Sequence, residues 1–147
     1  MVGFKILKSS LEGVELKKVT ISSQTVLVGD LLDLDVGATA WTVAAASSVH
    51  FTRKCIAYEG VSTSATEVLV HELTGLERVE VQSANTADAS DNGDRMLLTD
   101  KNTVNNSGTD SGLETACFIQ DGVGSTTTSI VGRVLVGSGV DPDSSTS

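Results

Sequence analysis

Large aromatic side chains are almost missing from this chain: one Trp, one Tyr and three Phe stand among 147 residues. Rings so few and so scattered make no stacking platform for bases or sugars. Each of Phe4, Trp41, Phe51, Tyr58 and Phe118 reads first as core filling. Only Trp41 and Tyr58 are candidates for a glycan groove. Basic residues are also scarce: ten Lys and Arg against nineteen Asp and Glu give a net charge of −9. That balance argues against a nucleic-acid partner, whose phosphates need clustered cations. No apolar run approaches the roughly 18 residues of a spanning helix, so no membrane partner is expected. The opening MVGFKILKSSLEG has no apolar core or cleavage motif of a secretory signal, and synthesis in the cytoplasm is the expectation. There are two histidines, His50 and His71, and neither has cysteines or carboxylates at ligand spacing. The two cysteines, Cys55 and Cys117, read as buried thiols acting as small apolar residues. A disulfide between them would need Cα atoms roughly 4.4–6.8 Å apart. There is a single proline, Pro142.

What remains is the composition of a β protein. Apolar residues make up 39% of the chain, and Ser, Thr and Val are abundant, which suits a pleated surface. A chain of this length is most simply one domain able to bury its own core. Short alternating runs recur between clusters of Gly, Asn, Asp, Ser and Thr. They include FKILK (4–8), VLVGDLLDLD (26–35), HFTRKCIAY (50–58), TEVLVHEL (66–73), LERVEVQ (76–82), ETACFIQ (114–120) and SIVGRVLVG (129–137). Along HFTRKCIAY, Thr52, Lys54, Ile56 and Tyr58 share one side, with Phe51, Arg53, Cys55 and Ala57 on the other. Helical spacing is never sustained; WTVAAASSV holds one turn at most. The predicted fold is all-β: a compact barrel or sandwich of short antiparallel strands.

The chain also repeats itself. GDLLDLD (29–35) returns as GDRMLLTD (93–100), and CIAYEGVSTSAT (55–66) as CFIQDGVGSTTT (117–128). Offsets of 64 and 62 residues imply two comparable halves, with Cys55 and Cys117 at matching positions. The stretch SDNGDRMLLTDKNTVNNSGTD (90–110) belongs to this pattern. As a calcium loop starting at Asp88 it has Ser90, Asn92 and Gly93 in place, but Thr99 stands where a bidentate Glu is needed. It reads better as a turn at Asn92-Gly93, a strand at Met96–Leu98 and a loop over 105–108.

Catalytic motifs fail one by one. GSG at 137–139 is too short for a nucleophile elbow. Gly122-Val123-Gly124 lacks the third glycine of a dinucleotide fingerprint, and His71-Glu72 begins H-E-x-x-H but meets Gly75. No catalytic residue, cofactor or metal ligand is assigned, and no enzymatic activity is expected. The charge is uneven, however. Residues 1–20 carry Lys5, Lys8, Lys17 and Lys18 against Glu12 and Glu15, a net +2, so the other 127 residues carry −11. We therefore divide the chain into an N-terminal strand or docking arm (1–20), a β body (21–137) and a disordered tail (138–147). Phe4, Lys5, Ile6, Lys8, Lys17 and Lys18 are the candidate contact residues. An alternating segment like this can add to the sheet edge of a partner, with its lysines meeting acidic surface.

The segments VGDLLDLDVGATAWTVA, RKCIAYEGVSTSATEVLV, SANTADASDNGDRMLLTDKNTVNNSGTD and GRVLV, taken in order, resemble the capsid decoration (cement) proteins of tailed bacteriophages. The likeness covers roughly residues 26–136. It implies a β-rich body, a homotrimer on the outer surface of the virion, the major capsid protein as partner, and neither cofactor nor catalysis. Some decoration proteins carry an extended Pro-rich N-terminal region, which this chain lacks. Another virion part (tail tube, neck or head-fibre base) and a glycan- or host-surface-binding module are the alternative readings.

Overall fold

The computed structural model describes residues 3–11, 15–109 and 116–138, and the protein is all-β, as expected. Its strands are β1 (Phe4–Ile6), β2 (Leu16–Thr20), β3 (Leu31–Leu34), β4 (Thr42–Val43), β5 (Arg53–Ala57) and β6 (Glu67–Glu72). They continue with β7 (Val79–Ser83), β8 (Arg95–Asp100), β9 (Thr103–Thr109), β10 (Phe118–Val123) and β11 (Ser129–Val134). Short 3-10 turns at Lys8–Ser10 and Ala89–Asp91 interrupt them. β2, β4 and the full length of β9 escape the alternation signal. Residues 105–107 continue β9 instead of looping. Asn105 still bonds locally, accepting from Ser107 N and Oγ. Asn106 turns inward and binds the backbone of Asn85 and Thr86.

The sequence repeat is a structural repeat. β2 to β6 form a sheet in the order β2-β6-β5-β3-β4, and β7 to β11 form one in the order β7-β11-β10-β8-β9. The second order is the first with every strand number raised by five. The second sheet closes on itself, and a single bridge links the two ends of the first. In the second, β9 runs parallel to β7, pairing Thr103 with Gln82 and Val104 with Ser83. In the first, Ile21 just after β2 bridges Trp41 just before β4, also in parallel. The register repeats too. Val19↔Val68, Lys18↔Leu69 and Lys17↔Val70 in the first barrel become Val81↔Ile130, Glu80↔Val131 and Val79↔Gly132 in the second, a uniform shift of 62. The two Gly-Asp turns match bond for bond. Gly29 and Gly93 both hold positive φ, a conformation that favours glycine. Gly29 N donates to Ala57 O and Ala57 N to Asp30 O; Gly93 N donates to Gln120 O and Gln120 N to Asp94 O.

The cysteines, by contrast, are one residue out of step. Cys55 lies opposite Leu32, whereas Phe118 lies opposite the corresponding Met96. Phe118, not Cys117, is thus the counterpart of Cys55. A bulge between Gln120 and Gly122 then puts Gly122, opposite Val131, in the place that Tyr58 holds beside Leu69. Both thiols are buried, one in each core, and they form no disulfide with each other.

Two hydrophobic clusters hold the fold. One fills the first barrel with Val19, Ile21, Val26, Leu32, Trp41, Cys55, Ala57, Val68 and Val70. The other fills the second barrel and continues out of its mouth onto the outer face of the first, taking in Leu31, Ala44, Ile56 and Leu73. Both faces of β5 are therefore covered: Cys55 and Ala57 face the first core, and Ile56 faces the second. Polar stitches join the barrels. Leu31 N donates to Lys101 O, and Gly137 N to Thr52 O. The Lys101 ammonium pairs with the fully buried Asp30 at 3.0 Å. On the face that also carries Leu31, Lys54 is completely buried, 3.4 Å from Asp33, and bonded to Thr52 Oγ1. Asp33 also accepts from the hydroxyls of Ser48 and Thr52.

The first strand changes the domain picture. β1 pairs antiparallel with β7, through Phe4↔Val81, Lys5↔Glu80 and Ile6↔Val79. It covers the part of the β7 edge that β9 leaves bare. Phe4 and Ile6, read from sequence as exposed grips, are 3% and 5% exposed and belong to the second core. Phe4 N donates to Gly29 O of the first barrel. β1 is therefore part of the body, and it ties one barrel to the other. The predicted tail beyond Ser138 lies outside the described residues.

Candidate interaction surface

The six candidate contact residues separate. Lys5 and Lys8 are exposed on or beside β1. Lys17 and Lys18 lie far along the chain on β2 in the other sheet. With Phe4 and Ile6 buried, no continuous arm presents all six, and the correction is physical: alternation fits a core strand as well as a docking strand.

The surface carries other features. β6 turns Val68 and Val70 inward, so Leu69 and His71 face out, and their partners Lys18 and Leu16 on β2 do the same. Tyr58, one residue past β5, reaches this face and meets the His71 ring edge-on, with centroids 5.4 Å apart. Leu16 is 45% exposed and Tyr58 54%. Partial burial lowers the pKa of His71, favouring its neutral form at physiological pH. Ile56 lies directly opposite His71, yet it is covered by the second barrel. The apolar strip Leu16–His71–Tyr58 is thus the uncovered continuation of the face that binds one barrel to the other. At one end of it the Leu27-Val28 turn, also exposed, packs its backbone beside Gly60. Lys18 provides the charge at its margin.

The mouth of the first barrel is different in kind. The Glu72 carboxylate accepts two bonds from Arg53, at 2.8 and 2.9 Å, and pairs with Lys17. The hydrogen bonds from Arg53 lead the effects that hold Glu72 below the usual carboxylate range. The same bond raises Arg53. Arg53 also sits 5.5 Å over the Trp41 ring. Trp41 is 5% exposed beneath it, which removes it as a sugar platform.

A shallow cleft of about 220 Å³ lies along β3 and β4, lined by Asp33, Asp35, Thr42, Val43, Ser48 and neighbours. The Asp33 oxygens there are already engaged by Ser48, Thr52 and Lys54, so its role is to hold the 45–52 loop. Asp88, first in the calcium-loop reading, instead caps the 3-10 turn by accepting from Ser90 N. Among the described residues no group of three or more His, Cys, Asp or Glu converges on a common point. Sequence reasoning missed the strip because Leu16, Tyr58 and His71 come from three separate runs; only the strand pairing brings them together.

The chain matches no protein-family model, no curated protein and no solved structure.

Proposed function

We propose that this protein is a structural component of a bacteriophage virion. It decorates the outer surface of the capsid, as a homotrimer, and bridges subunits of the major capsid protein. The observation that carries this reading is the apolar strip on a double-barrel scaffold. Leu16, Tyr58 and His71 extend, on the same sheet face, a surface that already buries another barrel within the molecule. A face of that composition suits burial against a further protein body. The order of segments over residues 26–136 supplies the phage context by resemblance. The double barrel suits the role mechanically, because two curved sheets joined by a common core leave little to shear. Repetition over many lattice positions turns modest contacts into firm retention.

The grip in this reading is the strip together with Lys18, in place of a free N-terminal arm. Co-sedimentation with expanded, undecorated heads of the phage that encodes it tests the proposal. Saturation at a fixed ratio to the major capsid protein is expected, with Tyr58→Ala weakening retention. No binding to expanded heads would sink the capsid reading and turn attention to tails.

A further inference from the structure

The repeat leaves one strand position filled in the second barrel and vacant in the first. In the second barrel, β1 occupies the β7 edge alongside Val79, Glu80 and Val81. The uniform shift of 62 makes Lys17, Lys18 and Val19 the corresponding edge of β2. Among the described residues, no strand pairs with β2 on the side away from β6 until Ile21 meets Trp41. Thr20, Lys18 and Leu16 are exposed there, and the Lys17 side chain keeps 42% of its surface in solvent. From this geometry we infer that the β2 edge receives an extended, acidic segment of a partner protein, which pairs antiparallel as β1 does on β7.

The filled position shows what the vacant one selects. In the second barrel, Phe4 and Ile6 point into the core while the exposed Lys5 lies in register opposite Glu80, a residue of opposite charge whose buried carboxylate also accepts from Ser125 and Ser129. In the first barrel the residue at the Glu80 position is Lys18, so the sign is reversed. An incoming strand is favoured when it places an apolar residue opposite Val19 and a carboxylate opposite Lys18. The reversal also disfavours two occupants that the described strands of this chain offer. β1 of a second copy would set Lys5 against Lys18. β2 of a second copy, paired about a two-fold axis through Lys18, would set Lys18 against itself. Like charges directly opposite are destabilising, and they act here as a repulsive element against self-pairing. The occupant is therefore another polypeptide, with an acidic residue opposite Lys18 next to an apolar one opposite Val19. The inference rests on the internal repeat and holds whether or not the capsid reading does.

The test is a titration of the intact, isotope-labelled protein with two synthetic peptides, Thr-Val-Asp-Val-Thr and Thr-Val-Lys-Val-Thr, at up to millimolar concentration. Amide chemical shifts and hydrogen exchange are followed by NMR. The acidic peptide should move and protect residues 16–20, leave β7 unaltered, and bind about tenfold or more tightly than the basic one. In Lys18→Glu, an exposed substitution whose spectrum itself reports folding, the preference should reverse. Equal response to both peptides, or none over residues 16–20 with either, overturns the inference. So does edge protection without peptide that grows with protein concentration alongside dimer formation, because a second copy is then the occupant.

Discussion

The two barrels run the same fold through different surroundings, and their differences follow what covers them. At the mouth of the second barrel stand Val79 and Val134, both buried. The corresponding residues of the first barrel are Lys17 and Glu72, which pair with each other and with Arg53. The second mouth is sealed by β1 and by the outer face of its neighbour, so apolar side chains are stable there. The first mouth faces water, and charges occupy the same positions. Inside, the barrels solve one packing problem in two ways. The first combines Cys55 with Val70; the second combines Phe118 with Gly132. A Cβ on Gly132 would stand 1.9 Å from Ile119 O and 2.8 Å from the Phe118 ring. Strand order and register are thus held in common, while side-chain volume and charge are free to diverge.

The largest effect should come from removing what only the second barrel has. Phe4→Ala empties a buried aromatic position and should cost about 3–5 kcal/mol in denaturant unfolding. If the loss is under about 1 kcal/mol, β1 is not the seal described here. Next, Gly132→Val gives the second barrel the first barrel's residue and should cost about 3 kcal/mol by overpacking. Adding Phe118→Cys should restore only part of this, since the carbonyl collision remains; full restoration would mean that volume alone separates the two cores.

Much of this comparison was legible in the sequence. The Gly-Asp turns, the paired C…G segments and the alternation around Val68 and Ile130 announced two halves, because turn chemistry and period-two patterning are local. The fate of Phe4 and Ile6 was not legible, since alternation tells which residues share a face and not what lies against it. Lys54 was hidden for the same reason: its burial depends on Asp33 and Thr52 converging from other segments. β4 is only two residues long, and β9 is rich in Asn, Ser and Gly, so neither carries a strand signature. The cysteine alignment misled because matching residue types along 55–66 and 117–128 says nothing of which residue lies opposite Leu32 or Met96.

Smaller changes sharpen the contrast at the mouths. Replacing Lys17 and Glu72 together by Val, as in the second barrel, exposes apolar surface that nothing described here covers. Monomer stability should change by about 1 kcal/mol or less, while sedimentation should show new self-association. A double variant that stays monomeric would show that the charges are not needed to keep this mouth wet. The smallest expected effect is that of pH. The carboxylate of Glu72 titrates below its ordinary value in the folded state, so its stabilising contribution is present above the ordinary 4.5 and is lost as pH falls below it. His71, lowered by burial, acts in the same direction below its ordinary 6.5. Thermal melts from pH 7 to 4 should therefore show declining stability, with a shallower slope in Glu72→Gln; an unchanged slope would remove Glu72 as a source of the dependence.

The pairing of β1 with β7 also sets an order of events during synthesis. Phe4 leaves the ribosome well ahead of its partner Val81, which follows 77 positions later. The first barrel has all its strands once β6 has emerged, while β1 must wait, unpaired and apolar, until β7 arrives. A contact of that span is entropically slow to form. It closes a loop around the whole first barrel, so neither half finishes folding without the other. Two barrels that look separable by strand order should consequently melt as one cooperative unit.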